Sequence, residues 1–368
     1  MKTVFIDVIA GARPNFMKIA PIIRALEARK ARGGHLSYRL VHTGQHYDAK
    51  MSGDFFEQLG IPAPHVNLEV GSGSHAQQTA AIMTKYEALL EREPSALCLV
   101  VGDVTSTMAT AIAAQKLWIP VAHVEAGIRS GDWKMPEEIN RMVTDAITNW
   151  FFTTSAQADA NLRKAGVGDE RIFFVGNTMI DTLLANLDRL RPPAFVEAEK
   201  LVPGEYLVLT LHRPNNVDAA DTMAALLRAI GGSTRGLPIV FPVHPRTAKT
   251  LREIEGLPPN IRFVDPQPYL EFNWLVKHAK AVITDSGGIT EETTVMGIPC
   301  MTLRDSTERP ETVTVGTNEL LGTDPAAIPP ALDRLFAGQW KKGRIPDQWD
   351  GQTAPRIVEI LERLLPAA

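Results

Sequence analysis

Short runs of apolar, largely β-branched residues alternate along this chain with longer segments whose apolar residues recur every three or four positions. In the first half the runs are TVFIDVIA, YRLVHTG, ALCLVVGD, PVAHVEA, WFFTTS and RIFFVGN. In the second half they are YLVLTLH, PIVFPVH, IRFVDP, AVITDSG and CMTLRD. Such runs are typical of strands buried on both faces, and the segments between them have the periodicity of amphipathic helices. The alternation therefore predicts an α/β protein with parallel sheets and crossover helices.

The length of the chain, 368 residues, exceeds what one ordinary core holds and fits two domains of about 150 to 200 residues each. Between the two series of strands, the segment ANLDRLRPPAFVEAEKLVPGE is rich in proline and charge, which is typical of a passage between domains. The last segment, TAPRIVEILERLLPAA, has the pattern of one more amphipathic helix. We therefore expect two α/β domains.

Charge and cysteine content restrict the function classes. The formal net charge is -4, and no basic block recurs, so a general binder of nucleic acid or of membrane surfaces is not expected. The first apolar run stops at Gly11 and Arg13, too short for a membrane span and without a signal-peptide pattern. Cys98 and Cys300 both lie in strand-like runs, which indicates buried thiols rather than a disulfide or a metal pair. We expect a cytoplasmic protein.

Polar and small residues follow the predicted strands where each strand ends. In the first half these segments are GARPNFMK, GDVTST and HVEAGIRS, and in the second half LHRPNN, VHPRT and DSGG. Ligands of open parallel sheets bind outside the carboxyl ends of the strands. Six such ends, divided between two domains, predict a binding site in a cleft between them.

The segment Ser286, Gly287 and Gly288 stands at a predicted strand-to-helix turn. Glycines there let backbone amides approach a ligand, and the positive end of the helix dipole favours phosphate oxygens. A plain N-cap by Ser286 is the alternative, although a capping box would need an acid where Ile289 stands. Glu291 and Glu292 lie about 100° apart on the helix, so one of them is expected to face the ligand and accept from ribose hydroxyls. A nucleoside diphosphate fits this turn better than a bare phosphate.

Missing motifs narrow the chemistry further. No G-x-G-x-x-G follows the first strand and no G-x-x-x-x-G-K-[ST] occurs, which disfavours dinucleotide redox chemistry and P-loop hydrolysis. No group of residues has convincing metal-ligand spacing, so we expect neither a metal nor a cofactor. Among the histidines, the candidate ligand contacts after strands are His212 and His244. Those expected at the surface or boundary are His35, His65 and His278, and those left open are His42, His75 and His123.

Several motifs occur in one order over nearly the whole chain. They are GARPNFMKIAPIIRAL, TGQH, GDVTST, HVEAGIRS, PEEINR, VGNTMIDTL, LHRPNN, PQPYLEF, TDSGGITEE and RDSTERPE. In combination they resemble the motifs of the non-hydrolysing UDP-N-acetylglucosamine 2-epimerase family. The resemblance implies a homodimer that interconverts UDP-N-acetylglucosamine and UDP-N-acetylmannosamine without a redox cofactor.

The resemblance also implies the GT-B fold, in which two Rossmann-like domains with parallel sheets face each other across a deep cleft. On this pattern we expect residues 1–175 to form the domain on the sugar side and residues 176–353 the domain on the UDP side. Residues 354–368 are expected to form a helix that returns to the first domain.

The implied reaction eliminates UDP across C1 and C2 of the sugar, because positive charge on the sugar makes the C2 proton removable. It needs carboxylates to move protons and cations to hold UDP. The family's acids fall on Asp103, Glu125 and Glu137. Each has a structural alternative: a turn cap for Asp103, a buried pair with Arg129 for Glu125, and a first-turn glutamate bridged to Arg141 for Glu137.

The remaining family positions concern substrate binding. The cations are Arg13, Lys18, His212 and Arg309, of which His212 is also expected to be catalytic, with Arg213 and Arg246 as second choices. At the uridine end, Gln267 is expected to contact the base and Phe272 to pack against it. The resemblance further assigns Glu292 to the ribose, and the diphosphate to Ser286, Gly287 and Gly288.

Two departures from the family pattern bear on regulation and on the sugar. Tyr47 and Asp48 stand where many bacterial members have Arg-Glu, beside their regulatory substrate site, and Asn15 stands where they have Glu. The segments TGQHYD, GSGSH and KMPEEINR are also similar to enzymes that epimerise UDP-2,3-diacetamido-2,3-dideoxyglucuronate. A GT-B glycosyltransferase and a non-catalytic nucleotide-sugar sensor are the alternatives from other classes.

Overall fold

The structure, a computed structural model, describes residues 3–44 and 56–367, without the side chains of residues 13, 14, 245 and 246. The chain divides into two compact units. The N-terminal unit comprises Met1–Ala185 and Asp347–Ala368, and the C-terminal unit comprises Asn186–Pro346.

The N-terminal unit alternates strands and helices as the apolar runs predict. Its strands are β1 Val4–Ala10, β2 Leu36–His42, β3 Val66–Asn67, β4 Cys98–Val101, β5 Val121–Val124, β6 Trp150–Thr153 and β7 Ile172–Phe174. Its helices are α1 Arg13–Ala31, α2 His75–Arg92, α3 Thr105–Lys116, α4 Pro136–Ile147, α5 Ala156–Lys164, and α6 Thr178–Asn186, which ends at the boundary. A further helical turn covers residues 56–59.

The C-terminal unit repeats the alternation. Its strands are β8 Leu207–Thr210, β9 Ile239–Pro242, β10 Ile261–Val264, β11 Ala281–Thr284, β12 Cys300–Thr302 and β13 Asn318–Leu320. Its helices are α7 Phe195–Ala198, α8 Pro214–Val217, α9 Ala220–Ser233, α10 Pro245–Leu251, α11 Tyr269–His278, α12 Gly287–Met296, α13 Pro310–Thr314 and α14 Ile328–Phe336. The last helix of the chain, α15 Thr353–Leu364, belongs to the N-terminal unit.

Both sheets have the strand order of a Rossmann-like fold. The order is β3-β2-β1-β4-β5-β6-β7 in the first sheet and β10-β9-β8-β11-β12-β13 in the second. Every strand pairing in the described part of the chain is parallel. The strand order reverses between β1 and β4 and again between β8 and β11, and open α/β sheets bind ligands at such points. Within each unit, the segments after these two strands should therefore carry the functional side chains.

The two cysteines lie in the cores of the two sheets. Cys98 packs with Ile9, Val100 and Val121 in the first unit, and Cys300 packs with Val208 and Val282 in the second. Both are free and fully buried, and burial raises the pKa of each thiol to about 12. The prediction of buried structural thiols is confirmed.

Hydrogen bonds from the last helix explain where the units divide. Asp181 in α6 accepts from the backbone amides of Thr353, at 3.1 Å, and Ala354, at 2.7 Å, and so caps the start of α15. The indole of Trp349 donates to the carbonyl of Thr154 at 3.0 Å. These bonds bring both α6 and the segment before α15 into the N-terminal unit, which extends beyond the expected boundaries at residues 175 and 354.

The strands predicted from the apolar runs are confirmed. The sequence pattern missed the edge strands β3 and β13, which have only two and three residues, and helix α14. Such short edge strands carry too few residues to show an alternation. In the described ranges, no helix is both long and apolar enough to cross a membrane.

Candidate functional site

Glu125 follows β5 in the N-terminal unit and forms a buried ion pair with Lys18 of α1. The side chains of the lysine and the glutamate are only 10% and 2% exposed. The backbone of Glu125 has φ +70°, a left-handed conformation that is costly for a residue with a side chain. Strain of this kind collects at functional sites, where the surrounding structure holds it in place. Two residues predicted to act on the substrate are thus in direct contact.

Asp103 follows β4 and is held by Arg141 of α4. Its Oδ2 accepts from Nε at 3.0 Å and from Nη2 at 2.5 Å, while a quarter of its side chain stays exposed. Arg141 also donates from Nη1 to Glu138 at 2.8 Å. Glu138 is buried, which raises its pKa, but bonds from Ser130, Arg141 and Gly131 outweigh burial and hold the pKa below its ordinary value. The exposed carboxylate of Asp103 is therefore fixed in orientation.

A buried histidine links β5 to the turn that carries Asp103. His123 contacts the carbonyl of Gly102 through Nε2 at 2.7 Å and Asp145 through Nδ1 at 2.8 Å. Asp145 also accepts from Arg129 at 2.6 Å. Burial raises the pKa of Asp145, yet the bonds and charges of His123 and Arg129 outweigh it and leave the pKa low. These residues brace the backbone between Gly102 and Glu125.

Asn15, which stands where many bacterial members of the family are expected to have Glu, connects the turn after β1 to the end of β4. Its Oδ1 accepts from the amides of Gly11, at 3.0 Å, and Ala12, at 3.2 Å, and its Nδ2 donates to Val101 at 3.0 Å. A Cβ on Gly11 would lie 1.8 Å from the Ser106 hydroxyl, so only glycine fits there. Asn15 thus has a structural role in this chain.

Several other predicted residues are exposed or lie, in part or in whole, outside the described part of the structure. Glu137, in the first turn of α4, is exposed, whereas its neighbour Glu138 is buried. Arg13 begins α1, but its side chain lies outside the described part of the structure. Tyr47 and Asp48 also lie outside the described residues, as does the side chain of Arg246.

The turn of Ser286, Gly287 and Gly288 joins β11 to α12, as predicted. Ser286 stands at the N-cap position of α12, but its side chain makes no capping hydrogen bond. A Cβ on Gly287 would lie 2.6 Å from Glu308 Oε1 and 3.6 Å from Arg304 Nη1. Arg304 is 6% exposed and donates from Nη2 to Glu308 at 2.6 Å. Its buried Nη1 has no hydrogen-bond partner among residues 3–44 and 56–367. A spare guanidinium donor therefore lies close to this helix N-terminus.

His212, the predicted catalytic histidine of the C-terminal unit, rests on Asp285. The distance between Nδ1 and Asp285 Oδ1 is 2.8 Å. The imidazole is 46% exposed, whereas the aspartate is fully buried. His212 follows β8 and Asp285 follows β11, the strands between which the sheet order reverses. The histidine therefore stands beside the glycine turn within this unit.

Glu291 and Glu292 of α12 are both buried and have different partners. Glu291 pairs with Arg309 at 2.6 Å, whereas Glu292 accepts from the Tyr269 hydroxyl at 2.9 Å and from Asn273 at 3.4 Å. Burial raises the pKa of Glu292 to about 7 although both hydrogen bonds lower it. Glu292 is thus a buried acid whose pKa lies near neutral pH, whereas the charge of Glu291 is neutralised by the Arg309 guanidinium.

The predicted base contacts lie around the start of α11. Gln267 is partly buried and donates from Nε2 to the carbonyl of Asp265 at 2.7 Å. Phe272 is partly buried and packs against a cluster that includes Leu275 and Val276. Both residues lie on the same unit as the glycine turn and Glu292.

Sequence reasoning missed several residues that hold the predicted functional side chains in place within each unit. They are Glu138, Asp145, Asp285, Arg304, Tyr269 and Asn273. Asp285 directly precedes Ser286 in TDSGG, and an aspartate at a strand end was a usable signal. Glu138 stands three positions before Arg141 and could have been read from spacing, whereas Asp145 for Arg129 and Asp103 for Arg141 depend on the fold.

The described ranges contain no cluster of three or more histidine, cysteine, aspartate or glutamate residues arranged to hold a metal ion.

The two units present different groups at their strand ends. The N-terminal unit presents positioned acids beside cations, and the C-terminal unit presents a glycine turn, a histidine and a desolvated acid. Positioned acids can transfer protons, and a glycine turn at a helix N-terminus can bind a diphosphate.

Comparison with known proteins agrees with this chemistry. A sequence model of the family described as UDP-N-acetylglucosamine 2-epimerase matches residues 27–362. The chain is 41% identical to the UDP-N-acetylglucosamine 2-epimerase of Methanococcus maripaludis, over 97% of this chain and 98% of that protein. It is 37% identical to the UDP-2,3-diacetamido-2,3-dideoxy-D-glucuronate 2-epimerase of Pseudomonas aeruginosa, over 97% and 99%.

Solved structures give the same answer for the fold. The crystal structure of the Methanocaldococcus jannaschii UDP-GlcNAc 2-epimerase in complex with UDP-GlcNAc and UDP is similar with a TM-score of 0.86. The sequence identity is 39%, and the similarity covers 98% of this chain and 100% of that one. The predicted fold class, α/β with two Rossmann-like units of the GT-B type, is confirmed. On the strength of its sequence, its two sheets and its site, the chain belongs to the UDP-N-acetylglucosamine 2-epimerase family.

Proposed function

We propose that this protein is a non-hydrolysing 2-epimerase that interconverts UDP-N-acetylglucosamine and UDP-N-acetylmannosamine. The C1–O bond breaks and its electron pair leaves with UDP, while a base takes the C2 proton and the C1–C2 double bond of a glycal forms. Protonation of C2 from the other face and re-addition of UDP at C1 give the epimer. No electrons are gained or lost overall.

The observation that carries the proposal is the placement of the acids Asp103 and Glu125 at the ends of adjacent strands β4 and β5. We assign the proton transfers at C2 to these two carboxylates and to Glu137. Lys18 and Arg141 hold the first two in place through the ion pairs described above. A positioned acid or base contributes about 10² to 10⁴ in rate.

We assign the hold on UDP to the C-terminal unit, with Arg13 as a further cation from α1. Three kinds of donor can form hydrogen bonds to the diphosphate. They are the amides of the glycine turn, the Ser286 hydroxyl, which makes no capping bond, and Nη1 of Arg304. Glu292 suits the ribose hydroxyls, Phe272 and Gln267 suit the uracil, and His212 and Arg309 suit the leaving phosphate.

One experiment separates the reaction classes. Incubation with UDP-N-acetylglucosamine in heavy water, without an acceptor, should incorporate deuterium at C2 of both epimers. A glycosyltransferase would leave C2 unlabelled in every case, and it would release UDP and form a new glycoside only when an acceptor is added. A sensor would bind UDP and leave the substrate unchanged. Unlabelled substrate at high enzyme concentration would contradict the proposal.

A second candidate substrate is UDP-2,3-diacetamido-2,3-dideoxyglucuronate, which the motifs TGQHYD, GSGSH and KMPEEINR and the similarity to the Pseudomonas aeruginosa enzyme favour. The same deuterium assay, run with the two sugars in competition, gives the ratio of kcat/KM directly. We expect the ratio to favour UDP-N-acetylglucosamine. A preference for the diacetamido sugar would transfer the proposal to that substrate and leave the reaction type unchanged.

We also propose a cytoplasmic homodimer. Both cysteines of the chain are free, as is usual where thiols are kept reduced. The family resemblance supports the dimer. Light scattering on the purified protein should give twice the mass of one chain, and a mass of one chain would contradict the dimer.

A further inference from the structure

The buried carboxylate of Asp285 accepts hydrogen bonds from one neighbouring segment, the residues that follow β8. Its two oxygens accept from the backbone amide of His212, at 3.2 and 3.0 Å, and Oδ2 accepts from that of Arg213 at 2.9 Å. The Asn216 side chain donates to Oδ2 at 3.1 Å. Oδ1 lies 2.8 Å from His212 Nδ1. A fully buried aspartate thus anchors the segment after β8 and contacts its histidine.

The groups that donate hydrogen bonds to Asp285 determine which atoms of Asp285 and His212 carry a hydrogen. Burial raises the pKa of Asp285, but the bond and charge of His212 and the bonds from Arg213 and Asn216 outweigh it and lower the pKa. An ionised carboxylate can only accept, so Nδ1 of His212 must carry a hydrogen. In the neutral ring the other nitrogen, Nε2, is then the acceptor. Nε2 lies on the side of the ring away from the carboxylate.

We propose that Asp285 is a positioning residue, which fixes the Nδ1–H tautomer of His212 and directs Nε2 to the phosphate bound at the adjoining glycine turn. The inference rests on the proposed function. Asp285 directly precedes Ser286, so one residue links the histidine to the diphosphate turn.

Before the reaction, Nε2 of the neutral ring takes a proton from solvent, so His212 enters the step as an imidazolium. When the C1–O bond breaks, its electron pair stays on the phosphate oxygen, and protonated His212 donates its Nε2 hydrogen to that oxygen. The Asp285 carboxylate stabilises the imidazolium before the transfer. When UDP adds back to the glycal, the phosphate oxygen returns the hydrogen to Nε2.

A purely structural role is the competing explanation, because Asp285 also accepts backbone amides of the turn. The chain offers a matched control in Asn216, which donates to Oδ2 and to the carbonyl of Leu303 at 3.1 Å. Asn216→Ser removes the bond to Asp285 Oδ2 and the bond to Leu303 but leaves Oδ1 and Nδ1 in contact. Asp285→Asn keeps an acceptor for the turn and removes the charge that selects the tautomer.

The test is ¹⁵N NMR of the full chain labelled in histidine, with His212→Gln to assign the ring signals, at a pH where the ring is neutral. We expect wild type and Asn216→Ser to show a protonated Nδ1 and an unprotonated Nε2. Asp285→Asn should shift toward the tautomer protonated at Nε2. Its kcat should fall at least about tenfold while KM stays within about twofold.

Two results would overturn the inference: an unchanged tautomer in Asp285→Asn, or a protonated Nε2 in the neutral ring of the wild type. The second needs no variant, so the test survives if Asp285→Asn fails to fold. An equal loss of kcat in Asn216→Ser at equal melting temperature would assign the effect to the turn. If the wild type has no epimerase activity, the proposed function fails, yet the NMR experiment still decides how Asp285 acts on His212.

Discussion

The two units of this protein have the same strand order around their central strands but different chemistry at the strand ends. In the N-terminal unit, the residues after β4 and β5 are acids, each held by a cation from a helix. In the C-terminal unit, the residues after β8 and β11 are a histidine, its aspartate and a glycine turn at a helix N-terminus. The difference lies in the residues that follow the strands and in the helix side chains that pair with them.

The comparison shows how one fold supports two tasks. A parallel sheet brings the carboxyl ends of its strands to one edge, whatever side chains follow them. Side-chain carboxylates there can move protons, whereas backbone amides and a guanidinium can only hold an anion. Variants of the N-terminal acids should therefore affect turnover, and variants of the glycine turn should affect UDP affinity.

The largest effect is expected for the acids of the N-terminal unit. Asp103→Asn and Glu125→Gln should lower kcat by about 10² to 10⁴, because each removes a positioned acid or base. UDP affinity, measured by titration calorimetry, should stay within a few fold, and one variant should release UDP and the glycal. Glu91→Gln, at an exposed position of α2, is the matched control. Near-normal epimerisation in both site variants would remove them from the mechanism.

The adjacent pair Glu137 and Glu138 sharpens the same comparison. Glu137→Gln should lower kcat by about 10² without changing the melting temperature, because the side chain is exposed. Glu138→Gln should lower the melting temperature, since it removes a charge from a buried network with Arg141. Thermal denaturation beside the deuterium assay checks both. If Glu138→Gln were the inactive and stable variant, the assignment of the acid would pass to Glu138.

In the C-terminal unit, Gly287→Ala should weaken UDP binding at least about tenfold, because the added Cβ meets Glu308 and keeps phosphate from the backbone. Alanine is favoured over glycine in helices by up to about 1 kcal/mol, so stability should not fall. Gly232→Ala is the control for the substitution, because outside its own helix no atom of residues 3–44 and 56–367 lies within 4 Å of the new Cβ. Unchanged UDP affinity in Gly287→Ala would contradict the phosphate site.

The smallest effect concerns the pH dependence of ribose binding. The pKa of Glu292 is raised to about 7 in the folded protein, so the carboxyl gains its proton as the pH falls through 7. A ribose hydroxyl that donates to the carboxylate favours the ionised form, and uridine affinity should therefore rise a few fold from pH 6 to pH 8. Uridine avoids the titration of the phosphate. In Glu292→Gln this dependence should vanish, and an equal dependence in both proteins would exclude Glu292.

Stability offers a second readout for Glu292, with a definite sign. The folded protein holds the proton up to about pH 7, whereas an unfolded glutamate has an ordinary pKa of 4.5. The native state therefore binds more protons between these values, and the free energy of unfolding falls as the pH rises through this range. The loss is on the order of 3 kcal/mol and is complete above about pH 7. Glu292→Gln should remove it.

Sequence order alone was enough for the fold and for a prediction of which segments carry the functional side chains. Runs such as ALCLVVGD and AVITDSG are long enough to predict buried strands, and the segments after them became the ends of β4 and β11. Because the carboxyl ends of parallel strands share one edge, the motifs could be assigned to a site before any distance was known. The edge strands were missed because two or three residues carry no period.

The partners of the charged residues came only from the tertiary structure. Spacing suggested Arg129 for Glu125 and Arg141 for Glu137, four residues apart in each case. The structure pairs Glu125 with Lys18, Arg129 with Asp145, and Arg141 with Asp103 and Glu138. Apart from Glu138 and Arg141, which stand three positions apart on α4, these contacts join residues of different elements, and only the packing of α1 and α4 against the sheet decides them.

The sequence by itself determined the α/β class, the two units and the residue types at the strand ends, because periodicity and motif order are local properties of the chain. The tertiary structure decided which carboxylates are buried, which cation neutralises each, and that Asp285 holds His212. Burial and distance depend on elements brought together from the whole unit. For that reason the raised pKa of Glu292 and the spare donor of Arg304 could not be seen in the sequence.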